Sequence, residues 1–219
     1  MRIGVLASGT GTNLQAILDR LHGREVEVVA VASDKPEAQA LARARAAGVE
    51  TRTFAWTPGS PPAPTTSPAF ATRAERDAAM ADWLESRGAE LVVLAGYMQL
   101  LTPVFLARFP RRVINVHPAL LPAFPGLRAV EQAIEHGVKV FGVTVHFVDE
   151  GVDTGPIVAQ RALELPDLPT AAEVRAALQP LEHDLLTEAI RAIAAGALDP
   201  DPANPRRIAY RPARMGGSG

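Results

Sequence analysis

Short apolar runs alternate with apolar positions at helical spacing along most of the chain. Ile3 to Ala7 reads as a buried strand, and Leu14, Ile17, Leu18 and Leu21 then recur with the period of a helix that Thr12 or Asn13 is placed to cap. The valine-rich run Glu25 to Ser33 predicts a second strand. Pro36 is placed to open a helix that carries Ala38, Ala40, Ala42, Ala44 and Ala46 and stops at Gly48. Val49 to Phe54 alternates as a third strand, and helical patterning returns from Thr72 to Ser86 through Ala79, Met80 and Leu84. Glu90 to Ala95 is apolar enough for a central strand. A short helix over Pro103 to Phe109, a strand over Val113 to His117 and a helix over Leu127 to His136, closed by Gly137, follow. Val138 to Val148 and Ile157 to Leu165 read as strands. Thr170, with Glu173 as its capping-box partner, starts a long helix through Ala194 that Pro180 is expected to kink or split. Strands alternating with helices predict an α/β fold: an open, mostly parallel twisted sheet with helices on both faces, Rossmann-like in outline.

The pattern breaks twice. Thr57 to Pro68 carries prolines at 58, 61, 62, 64 and 68 among glycine, serine and threonine. It cannot hold a helix or a central strand, so it reads as a surface loop or a mobile linker, able to serve as a lid where it lies beside the site. From Asp199 the chain is rich in Pro, Asp and Arg, and Met215 to Gly219 reads as disordered. The expected organisation is one domain over residues 1–198, interrupted at 57–68, and a partly disordered tail over 199–219.

Composition narrows the chemistry. A net charge of −2 over 219 residues makes the whole chain a poor polyanion binder, although a local phosphate site remains open. The absence of cysteine excludes disulfides, thiolate catalysis and cysteine metal ligands. The histidines are not at zinc-ligand intervals, so no metal is expected. The first apolar run is only as long as a strand and ends in Ser-Gly-Thr-Gly, unlike a signal peptide. No run approaches the roughly 20 apolar residues of a bilayer span. A soluble, cytoplasmic protein is expected, with neither membrane nor nucleic-acid partners. Arg206, Arg207, Arg211 and Arg214 read as a solvated basic cluster.

Four segments can carry chemistry. Asn115 and His117 lie two apart in the strand Val113 to His117 and so project from the same side, just before prolines stop it. A carboxamide can donate to a developing oxyanion, and an imidazole can donate to the same oxygen or move a proton. Ser8-Gly9-Thr10-Gly11-Thr12-Asn13, between a strand and a helix, is either a plain glycine-rich turn or a monophosphate cradle of backbone N–H groups. Leu14 excludes the dinucleotide fingerprint, and the lack of Gly-Lys-Ser/Thr excludes a P-loop. In His146 to Pro156, Asp149 and Glu150 suit a solvated turn, whereas Asp153 sits in a tighter setting where its carboxylate would keep His117 protonated. Ala95 to Pro103, at the end of the most apolar strand, is either core or an apolar wall for a flat ligand.

Together the motifs Ser-Gly-Thr-Gly-Thr-Asn-Leu-Gln (8 to 15), Val-Val-Leu-Ala-Gly-Tyr-Met (92 to 98), Ile-Asn-Val-His-Pro-Ala-Leu-Leu-Pro (114 to 122), Val-His-Phe-Val (145 to 148) and Val-Asp-Thr-Gly-Pro (152 to 156) resemble the phosphoribosylglycinamide formyltransferase family, in order and from Ile3 to about Ala195. The resemblance implies that Asn115, His117 and Asp153 are catalytic, and that Gly11, Thr12 and Asn13 bind the substrate phosphate. It implies that Gln179 and Glu182 contact the glycinamide substrate, and that Arg73, Met98, Gln99, Leu100, Leu101 and Asn115 contact folate. Gln99 stands where related sequences carry arginine, and 57–68 reads as an insertion. The implied reaction is direct formyl transfer from 10-formyltetrahydrofolate, a co-substrate, to the amine of glycinamide ribonucleotide in purine synthesis, through a tetrahedral intermediate and without metal. A monomer or homodimer is expected. Relatives with the same module hydrolyse formyltetrahydrofolate or formylate methionyl-tRNA; they typically carry an extra N-terminal or C-terminal domain, for which this sequence shows no room. A non-catalytic folate or nucleotide sensor is the third alternative, against which the intact Asn115, His117 and Asp153 stand.

Overall fold

The computed structural model describes residues 1–56, 70–165 and 170–210. The proline-rich segment and the glycines at the end of the chain, on which two of the expectations above fall, lie outside them.

β1 (Arg2–Leu6), β2 (Glu27–Ser33), β3 (Thr51–Thr53), β4 (Leu91–Leu94) and β5 (Val113–His117) form a parallel sheet in the order β3-β2-β1-β4-β5. β6 (Val140–Phe147) runs antiparallel to β5, and β7 (Ile157–Glu164) antiparallel to β6. The hairpin of β8 (Leu198–Asp201) and β9 (Asn204–Tyr210) joins the edge where Arg207 pairs with Ile157. The sheet is mixed and mostly parallel. The connecting helices are α1 (Thr12–Arg20), α2 (Gln39–Ala46), α3 (Arg73–Ser86), α4 (Pro103–Leu106), α5 (Ala129–Glu135) and α6 (Ala171–Ala194). None is long and apolar enough to cross a membrane among the described residues.

The apolar runs are continuous because both faces of the sheet are covered. Ile3, Val5, Leu91 and Val93 point into the core that α1, α2, α5 and α6 close. Leu6, Val92 and Leu94, one residue out of phase, point into the core beneath α3 and α4. The strand order turns at β1, with β2 on one side and β4 on the other. The loops leaving β1, β4 and β5 gather at the carboxyl ends of the strands, where open parallel sheets take their ligands.

Four local expectations are corrected. α1 is capped by Gly11 in the left-handed region, φ 73°, with no side-chain cap, so Thr12 and Asn13 are its first helical residues. α2 begins at Gln39, beyond Pro36. α6 is not split at Pro180 and runs through it as one helix. A proline inside a helix costs about 3 kcal/mol. Six buried side chains on both sides of it, Val174, Leu178, Leu185, Leu186, Ala189 and Ile190, offset that loss. Residues 198–210, for which the pattern gives no element, hold β8 and β9.

Candidate active site

β5 delivers Asn115 and His117 to one side, as their spacing requires. The antiparallel register with β6 sets Asn115 opposite His146. The chain after β6 then turns back, and Asp153, at φ 52°, brings its carboxylate between the two histidines. Gly155 makes that return possible: a Cβ there would overlap the Phe147 carbonyl oxygen. Asp is among the residues that tolerate the left-handed region, and here the cost is offset by what its side chain holds.

His117 is 5% exposed. Its Nε2 lies 2.9 Å from the Phe124 carbonyl and its Nδ1 3.3 Å from Asp153 Oδ2. Both oxygens only accept, so the ring satisfies both contacts as the doubly protonated cation. Asp153 Oδ2 also accepts from the Gly126 N–H at 2.7 Å. Its Oδ1 lies 3.4 Å from His146 Nε2 and 3.4 Å from Asn115 Nδ2. Burial pushes the Asp153 carboxyl up, but the His146 contact, the Gly126 N–H and the charge on the two rings outweigh it, and the group titrates at about 2. His146, 1% exposed, faces the Phe147 carbonyl with Nδ1 at 2.8 Å, which places a proton on that nitrogen. Its Nε2 is 3.3 Å from Asn115 Nδ2, so a neutral His146 accepts from the amide and a charged one donates to Asp153.

This network floors a cavity of about 610 Å³. Tyr97, Met98, Gln99 and Leu100 form one wall, and Leu127, Arg128 and Val130 the other. Met98, Leu100 and Leu127 are more than half exposed, an apolar rim with little reason to face water unless a ligand covers it. Arg73 and Leu101 do not line the cavity. Arg73 opens α3 with its guanidinium 5.4 Å from the centre of the Trp56 ring, and Leu101 packs against the core under α3 and α4.

The second half of the site is the turn into α1. A Cβ on Gly11 would come within 2.7 Å of Ala40 Cα, and the Ala40 N–H donates to the Gly9 carbonyl, so α2 presses directly on the turn. Arg43 adds a bond from Nε to the Thr10 carbonyl at 2.8 Å. With no side-chain cap and no acidic residue in its first turn, α1 presents its N-terminal backbone donors and positive dipole end. α6 supplies the remaining groups: Gln179 Nε2 lies 3.4 Å from Thr12 Oγ1, and Asn13 Nδ2 donates to Glu182 Oε2 at 3.0 Å. Burial raises the Glu182 carboxyl against the lowering effect of Asn13. The two halves are stitched together by Ser8, whose N–H donates to the Gly96 carbonyl and whose Oγ accepts from the Met98 N–H at 2.9 Å.

The sequence points to no role for His146, Arg128 or Arg43, and it places Ser8 only within the glycine-rich turn. His146 was detectable in principle, as a second imidazole two residues from the end of a strand, but only the β5–β6 register reveals what it faces.

Residues 1–190 match the formyl transferase family model. The chain belongs to this family. A phosphoribosylglycinamide formyltransferase of Bacillus subtilis is 40% identical over 184 residues, 83% of this chain and 89% of that protein. One of Escherichia coli is 36% identical, covering 90% of this chain and 89% of its own length. Among solved structures, glycinamide ribonucleotide transformylase 1 from Symbiobacterium toebii superposes with a TM-score of 0.85 at 45% identity, over 97% of this chain and 94% of that one.

Proposed function

We propose that this formyl transferase moves the formyl group of 10-formyltetrahydrofolate onto the amine of glycinamide ribonucleotide, a step of de novo purine biosynthesis. The observation that carries the reading is the junction at Ser8 of an uncapped helix N-terminus, suited to a phosphate, with an apolar-walled cavity floored by an amide and a charged imidazole. A phosphorylated amine and a flat formyl donor would meet over Asn115 and His117.

The amine attacks the formyl carbon and the carbonyl oxygen takes on negative charge. Asn115 Nδ2 and the His117 imidazolium, set on one side of β5, stabilise that oxygen by turning to it the donors that face His146 and the Phe124 carbonyl in the free protein. Collapse breaks the bond from the carbon to N10 of the folate; the amine loses a proton and N10 gains one. A carboxylate titrating at about 2 is too weak a base to store that proton near neutral pH. Asp153 then serves to hold negative charge against His117 and to fix its ring, and His117 is the group that gives and regains a proton. Gln179 and Glu182 suit the sugar hydroxyls of a ribonucleotide seated on Gly11, Thr12 and Asn13. Holding two substrates in register supplies the rest of the rate.

Incubation of the protein with 10-formyltetrahydrofolate, with and without glycinamide ribonucleotide, tests the reading. Formyl loss that requires the amine supports transfer. Equal loss without it identifies a hydrolase.

A further inference from the structure

The wall of the cavity formed by residues 96–100 is a loop, yet it has to hold a fixed shape to orient a formyl donor. Hydroxyl groups do not anchor it: Tyr97 OH within it and Thr102 Oγ1 just beyond it are buried without a hydrogen-bond partner among the described residues. Its leading end is held by Ser8. Its trailing end meets α3. There the Thr102 N–H donates to Asp77 Oδ2 at 2.7 Å. The other oxygen, Asp77 Oδ1, accepts from Arg76 Nε at 2.8 Å and Nη2 at 2.6 Å. Both side chains of this pair are fully buried.

A buried ion pair is a poor way to gain stability, because desolvation offsets the attraction and an apolar pair of the same volume often does as well. It is a good way to keep a strong acceptor at one point: a carboxylate with one oxygen neutralised by a guanidinium presents the other to a single backbone N–H. That N–H belongs to Thr102, the N-cap of α4. The bond therefore fixes where the loop ends and the helix starts.

We propose that Asp77, neutralised by Arg76, is a positioning residue for the formyl-donor subsite: it locks the trailing end of the 96–101 loop and so sets the wall against which the donor lies. The inference rests on the proposed function for the identity of the donor, but not for the locking itself. Asp77 touches no substrate and acts through the Thr102 backbone.

Two paired variants test it. R76L/D77L removes the charge and the acceptor together, and R76L/D77N removes the charge but keeps an oxygen for Thr102. The first is expected to raise the KM for 10-formyltetrahydrofolate about tenfold, with the KM for glycinamide ribonucleotide unchanged and kcat little altered, and the second to bring it back towards the wild-type value. Amide hydrogen exchange of residues 98–102 without any ligand reads the lock directly: faster in R76L/D77L, slower again in R76L/D77N. A third variant, Thr102→Pro, keeps the Arg76–Asp77 pair and deletes only the donor; the φ of −80° and ψ of 161° at Thr102 accommodate proline. It is expected to match R76L/D77L in exchange and in KM, which keeps the test alive if the double variant does not fold. Unchanged exchange in residues 98–102 for R76L/D77L or Thr102→Pro overturns the proposal. So does a rise in both KM values together, the mark of a merely structural residue. If the wild-type protein transfers no formyl group, the proposed function fails while the exchange measurements still decide the lock.

Discussion

The two halves of the site are built on opposite principles. Around His117 the groups are side chains: two imidazoles, a carboxamide and a carboxylate linked by contacts of 3.3–3.4 Å, with both rings and the carboxylate each held by a backbone carbonyl or N–H. At the turn into α1 what faces a phosphate is backbone, packed so closely on α2 that a methyl group does not fit at Gly11, with the side chains of Thr12, Asn13, Gln179 and Glu182 standing around it. A reacting oxygen whose charge appears and vanishes needs donors whose protons can shift. A phosphate whose charge never changes needs only a fixed field, and peptide dipoles supply that without titrating. Damage to the first half should therefore show in kcat, and damage to the second in KM.

The strongest break in that contrast is His117→Ala. We expect kcat to fall by about 10²- to 10⁴-fold with both KM values within a few fold of wild type, measured by steady-state kinetics. A large KM change with kcat intact would move His117 from chemistry to binding. Next comes Asp153→Asn, expected to lower kcat by roughly 10²-fold in the same assay. The same residue gives a pH signature. Its carboxyl titrates at about 2 when folded against a reference value of 3.8, so its contribution is present above about 4 and is lost as pH falls through 2. That contribution is roughly 2 kcal/mol, and denaturant unfolding from pH 5 to 2 should be shallower in Asp153→Asn by that amount. Gly11→Ala has the smallest kinetic effect: about tenfold in the KM for the phosphorylated substrate, with kcat and the donor KM preserved, while stability is lost both to the left-handed backbone, roughly 1–2 kcal/mol, and to the displacement of Ala40 by the added methyl group.

What the sequence discloses follows the same division. Strands buried on both faces announce themselves as apolar runs, and Asn115 and His117 stand out in β5 because polar groups there have no packing use. The turn was legible as small residues between strand and helix, but not its cap, since choosing Gly11 over Thr12 depends on the pressure from Ala40. His146 needed a strand register. Arg76 and Asp77 lie in a helix of low amphipathic contrast, and their burial is decided by what packs on α3. The hairpin of β8 and β9 was hidden by Pro200, Pro202 and Pro205, which suit the margin of a sheet and mask a strand pattern. Apart from that hairpin, whose strands are neighbours in sequence, the missing information was a contact between distant segments.

The return of the chain through Gly155 bears on how this enzyme can be altered. Because that position is pressed onto the Phe147 carbonyl, any side chain there displaces the backbone that carries Asp153, and through it both histidines. The floor of the cavity is thus closed to redesign by single substitution. Freedom to accept a differently shaped donor lies on the exposed rim at Met98, Leu100 and Leu127, where a replaced side chain meets solvent and leaves the reacting groups in place.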